Sequence, residues 1–135
     1  MKILLVLFIG VFLSLNSFAA NPYLDGLTRD QLIERLTSKI YVKDNIYSCD
    51  QVAYNYYFSK EAIKTCGFSR LSSSADTGNT MCLSWAMVKH DGSLGNLNTI
   101  SKKGQKDFND NYYSAKDKNN MCSNTLKFYS DFIIK

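Results

Sequence analysis

Four cysteines, Cys49, Cys66, Cys82 and Cys122, constrain the fold of this chain more than any other feature. They allow three sets of two disulfides, and helix geometry removes one of them. Cys49 and Cys66 stand 17 residues apart on one predicted helix, about 25 Å along its axis at 1.5 Å per residue. Bridged cysteines hold their Cα atoms within roughly 7 Å, so Cys49 does not pair with Cys66. Of the two schemes that remain, Cys66–Cys82 with Cys49–Cys122 is preferred, because the first bridge closes a serine-rich loop between a helix end and the next helix start. Loop-closure entropy gives ~3 kcal/mol for the short loop and ~4 kcal/mol for the long one, large against ordinary domain stability. The cysteines lack CxxC spacing and His90 is the only histidine. A Cys/His ligand set therefore has no support, and no metal or cofactor is expected.

The first twenty residues bear on the compartment in which these cysteines work. Lys2 supplies a short positive region, Ile3 to Leu15 are 13 residues of apolar sequence, and Asn16 to Ala20 form a small polar end. That tripartite order marks a signal peptide. As a helix the apolar run spans only ~20 Å, against a hydrocarbon core of about 30 Å, so a membrane anchor is disfavoured. Cleavage after Ala19 puts Ser17 and Ala19 at the two small-residue positions. Residues 1–19 are thus expected to be removed, leaving 20–135 as a single helical domain, exported to the periplasm or beyond the cell, with no membrane span. An oxidising compartment favours disulfides over thiols. Beyond residue 20 the apolar content falls from 45% to about 40%, enough for one core in a domain of this size.

Helix punctuation organises the rest. Thr28 and Gln31 form a capping box with Leu27 and Leu32 as a staple, and Leu32, Ile33, Leu36 and Ile40 follow at helical spacing, predicting a helix over about 28–41. Ser48 and Gln51 repeat the box, with Tyr47 and Val52 as staple, for a second helix that runs to about Cys66 and stops at Gly67. Residues 69–79 are small and polar and predict a mobile loop. Met81 to Val88 is apolar on nearly every side, which suits a short central helix better than a buried strand, closed by Asp91-Gly92. Leu97, Ile100, Gly104, Phe108, Tyr112 and Ala115 share one face of a long fourth helix, with Gly104 offering close approach or a break. Cys122, Thr125, Leu126, Tyr129, Phe132 and Ile133 make the last. No convincing alternation for a strand is present. The expected fold is all-α, a small irregular bundle of four to five helices stapled by two disulfides.

Catalytic chemistry has few candidates. His90 at a helix end suits a surface or capping role, whereas a hydrolase would use His90 and Asp91 as an oriented base. Asp107 and Asp110, three apart on the fourth helix, are the other acidic candidates, and a solvated face is the simpler account of them. Lys102, Lys103 and Lys106 gather around Gly104, but the mature net charge of +3, once Lys2 leaves the full chain's +4, is too modest to point to nucleic acid.

The aromatic residues stand out. On the second helix Cys49, Val52, Ala53, Tyr56 and Ile63 form one stripe while Tyr54 and Phe58 project from the other side. Either this is the central helix of the bundle, or Tyr54, Phe58 and Tyr57 remain exposed and anchor a partner, for which Tyr113, off the core stripe of the fourth helix, is a further candidate. The closing segment 122–134, with Leu126-Lys127-Phe128-Tyr129-Ser130, resembles over a dozen residues the final helix of the immunity proteins that guard bacteria against secreted amidases. The lack of catalytic motifs favours a non-enzymatic binding module, and the length, export signal and cysteine-bridged helices match the format of a periplasmic immunity or inhibitor protein whose partner is another protein, an enzyme that attacks the cell envelope. The resemblance assigns no family. The alternatives are a small secreted hydrolase and a subunit of an envelope assembly.

Overall fold

The computed structural model describes residues 28–30, 34 and 39–135. The signal peptide, its cleavage point and most of the first expected helix lie outside the described residues, although Arg29, Asp30 and Glu34 are helical. Four helices carry the rest: α1 (Cys49–Cys66), α2 (Ser73–Lys89), α3 (Ser93–Ser114) and α4 (Lys118–Phe128). Two small antiparallel pairs flank them, β1 (Ile40–Val42) with β2 (Asn45–Tyr47), and β3 (Arg70–Leu71) with β4 (Ile133–Ile134). Among the described residues no helix is long and apolar enough to cross a membrane. The fold is a small, predominantly helical domain with two disulfides.

The capping grammar of α1 is as expected. The Ser48 hydroxyl accepts from the Gln51 amide, the Gln51 side chain accepts from the Ser48 amide at 2.9 Å, and Gly67 ends the helix in the left-handed conformation at φ 75°. The helix is buried on more than one side, with Cys49, Val52, Ala53, Phe58, Ser59 and Ala62 all inside, because α3 packs along it and α2 crosses it. Gly104 sets the spacing of the α1–α3 seam. A Cβ there would lie 2.5 Å from the Tyr54 carbonyl oxygen and 3.2 Å from the Phe58 amide nitrogen. The glycine thus serves close approach, and α3 runs through it unbroken.

The disulfides correct the preferred pairing. They join Cys49 to Cys82, with Cα atoms 5.4 Å apart, and Cys66 to Cys122, at 5.7 Å. Cys66 does not reach Cys82 because residues 69–79 are not a loop. They form β3 and the first two turns of α2, which carries Cys82 some 13 Å along the helix from its start. What reads as flexible polar sequence is a close-packing face: Ala75, Gly78, Asn79, Cys82 and Ala86 are buried at helical spacing. A Cβ on Gly78 would meet Ile40 Cγ2 at 2.9 Å and Val42 Cγ2 at 3.4 Å, so the missing side chain is what lets β1 lie on α2.

Both ends of the expected helices are also corrected. Ile40 and Tyr41 belong to β1, not to a helix reaching 41, as suits three β-branched or aromatic residues before a two-residue turn. That turn places Lys43 at φ 51° and holds its amide on Ser74 Oγ at 3.0 Å. The last helix stops at Phe128, and Ile133 pairs with Leu71 in the β3–β4 ladder. The chain end is tied down further where Asp131 Oδ2 accepts from Tyr47 Oη and Asn45 Nδ2, each at 2.6 Å. Burial and then the Asp131 carboxylate push the Tyr47 hydroxyl up to about 12.

Candidate functional site

The residues marked out for catalysis do not assemble. His90 is the exposed left-handed cap of α2 at φ 51°. Asp91 is held at the start of α3, its Oδ1 accepting from the Ser93 amide at 3.0 Å and from the Ser93 hydroxyl. The pair punctuates the α2–α3 turn, with the carboxylate committed to a serine that is 1% exposed. Asp107 and Asp110 likewise have separate partners. Asp107 accepts from Tyr54 Oη at 2.7 Å and pairs with Lys103, while Asp110 pairs with Lys106. Partial burial raises the Asp107 carboxyl, but the Lys103 ammonium and Tyr54 hydroxyl outweigh it and hold it below the ordinary carboxylate value. No cluster of three or more metal-ligating side chains occurs among the described residues.

The aromatic candidates divide. Phe58 is 5% exposed, stacked on Tyr129 at 4.5 Å and edge-on to Phe108 at 5.3 Å. It is a core residue, so the exposed-anchor alternative is corrected for it: α3 and the chain end cover the face from which it projects. Tyr54 is half-buried in the same seam, with Lys103 5.9 Å above its ring. Tyr57 is partly covered, packed edge-on to Tyr56 at 5.2 Å with Lys60 over its face. Only Tyr113, at 75% exposure, stands clear. Burial, followed by the Asp107 carboxylate, raises the Tyr129 hydroxyl.

A groove of about 850 Å³ opens where α1, the end of α3 and α4 meet. The α1 wall supplies Asn55 and Phe58, the α3 wall Asn111 and Ala115, and the α4 wall Asn120, Met121, Asn124, Thr125 and Phe128. Tyr47, Tyr129 and Phe132 line it as well, and Lys116 with Asp117 sit at the α3–α4 turn. Phe128 rises from this groove at 78% exposure. Its place follows from local grammar: Asp117 caps α4 by accepting from the Asn120 amide at 2.9 Å, which sets Asn120, Asn124 and Phe128 one turn apart on a shared face. The Cys66–Cys122 bridge ties that helix to the end of α1. Sequence reasoning missed the groove. Its one signal was the spacing of four between carboxamides at 120 and 124, continued by Phe128.

The chain matches no protein family, and no curated protein or solved structure is matched to it.

Proposed function

We propose that this chain is an exported, non-enzymatic binding module that captures another protein, with an enzyme attacking the cell envelope as the partner its format favours. The observation that carries this reading is the groove. A cleft of about 850 Å³ is within the size range of ligand sites, and it is lined by carboxamides that have no side-chain partner among the described residues, beside Phe128, a large ring at 78% exposure. Exposed aromatic anchors are where binding energy concentrates. Two disulfides in a small domain accord with export, as does the leader expected over residues 1–19. The hydrolase and envelope-subunit alternatives have no comparable observation in their favour.

The test uses the oxidised chain as bait for envelope proteins, beside Phe128→Ser. Phe128 contributes little to the core, so the variant keeps its melting temperature while affinity for the captured protein falls about thirtyfold, the size of a hot-spot loss. Equal capture by both chains removes the groove from the reading. No specific capture by either removes the reading itself.

A further inference from the structure

The groove's chemistry says more about its occupant, on the reading that the chain is a binding module. Asn55, Asn111, Asn120 and Asn124 line it, and none of their carboxamides is engaged by another group among the described residues. Each offers two N–H donors and one carbonyl acceptor in a plane, enough to pair with both the N–H and the C=O of a peptide group. The groove is also neutral on a basic molecule: Lys116 and Asp117 are its charged lining residues and offset each other, whereas the full chain carries +4. A second, smaller cleft of about 370 Å³ differs in this respect, being lined by Lys102, Lys103 and Lys106 with Asp107 and Thr99. Nothing in the asparagine groove selects for an ion.

We propose that the groove receives an uncharged, extended loop of the partner protein, whose peptide groups are read by these four asparagines and whose apolar side chain rests against Phe128. Aromatic residues and asparagine are among the residues enriched in antibody binding loops, the rings supplying area and the amides adaptable hydrogen bonds. A saccharide is the other neutral, hydrogen-bonding class. It needs open aromatic faces to stack on, and here Phe58 and Tyr129 stack on one another at 4.5 Å while Tyr47 and Phe132 meet edge to face at 5.2 Å. Phe58 and Phe132 are also buried, at 5% and 1% exposure, so Phe128 at the rim is the one fully open ring that the groove offers a sugar.

The probes are short random peptides, linear or disulfide-closed, displayed and selected on the oxidised full-length protein, together with N-acetylglucosamine oligomers as the saccharide arm. Selected peptides are expected to carry no net charge in their binding stretch and to keep their affinity within about twofold from low to high salt, since no ion pair is formed. Asn111→Leu and Asn124→Leu each weaken them at least tenfold, and Ile46→Ser, on the exposed β1–β2 hairpin, does not. Circular dichroism checks that each variant is folded. Peptides whose binding is salt-sensitive, or indifferent to both asparagine variants, overturn the loop. So does a saccharide that shifts the groove's NMR signals where peptides do not. Peptides that bind tightly at another face overturn the groove and leave the binding-module reading intact, whereas failure of peptides, saccharides and protein capture together removes both.

Discussion

The α1–α3 seam and the α1–α3–α4 groove share two helices and behave as opposites. In the seam, Gly104 brings α3 against the backbone of α1, Tyr54 closes on Asp107, and Phe58 is locked between Phe108 and Tyr129. In the groove, the same α1 and α3 present Asn55 and Asn111 to a space that α4 borders without filling. Phe58 belongs to both, buried by the seam and also lining the cleft. The contrast shows how side-chain size and polarity, on common helices, decide where two surfaces close. A glycine removes the spacer and water is excluded; asparagines, whose amides are costly to bury unpaired, leave a wall standing off.

The largest expected effect breaks the groove side alone. Helix α4 has 11 residues and a single buried one, Thr125, and an isolated helix of that length is marginal in water. Its bridge to α1 closes a 56-residue separation, worth about 4 kcal/mol of chain entropy. In Cys66→Ser/Cys122→Ser, denaturant unfolding should show a loss of that order, and hydrogen exchange should speed up first over residues 118–128. Cys49→Ser/Cys82→Ser removes a bridge with a 33-residue separation and a similar entropy, between cysteines that are at most 2% exposed. That loss should appear across α1 and α2 together. Equal exchange profiles for the two variants would mean that α4 is held by packing rather than by its disulfide.

The seam is broken next, by Gly104→Ala. Alanine gains ~1 kcal/mol over glycine in a helix, but a methyl group 2.5 Å from a main-chain carbonyl cannot be relieved by turning a side chain. Overpacking of this kind typically costs about 2 kcal/mol, and a backbone clash puts it at the high end. Gly95, in the same helix with nothing within 4 Å of an added Cβ, is the control. Gly95→Ala should raise the urea midpoint while Gly104→Ala lowers it; two changes of the same sign would contradict a close-packed seam.

These two regions were unequally legible in the sequence. Ser48 with Gln51, Gly67 and the one-face placement of Gly104 are local signals, and local signals survive folding. The disulfide pairing was not legible, because it hung on whether residues 69–79 form a loop, and Ala75, Gly78 and Asn79 look alike whether they are small to be flexible or small to be close-packed. Only the presence of Ile40 and Val42 against Gly78 separates the two, and that contact is tertiary. Short strands such as β3 and β4 also depend on a partner 62 to 64 residues distant, beyond any local periodicity. The groove was invisible for another reason: exposed asparagines carry no hydrophobic pattern, and the Cys66–Cys122 bridge that ties α4 to α1 is a tertiary link.

The smallest effect sharpens the electrostatic side of the seam. Asp107 accepts from Tyr54 and pairs with Lys103 four residues earlier on α3, an arrangement worth at most ~1 kcal/mol in a partly exposed position. Its carboxyl titrates below the ordinary value in the folded protein, and near ~3.9 when unfolded. The folded state therefore binds fewer protons in that window, and the stabilisation is complete above the unfolded value and drains away as pH falls through the lower folded one. Asp107→Asn keeps an acceptor for Tyr54 but gives up the charge that Lys103 needs. Its melting temperature should lie below that of the parent protein at neutral pH, and the gap should narrow on acidification below about pH 4 and close once the parent carboxyl is protonated. Tyr54→Phe removes the hydroxyl instead and should diminish the same gap. A difference that persists undiminished in acid would mean that Asp107 acts through packing against α1, making the seam apolar throughout and leaving its charged fringe without a part in closing it.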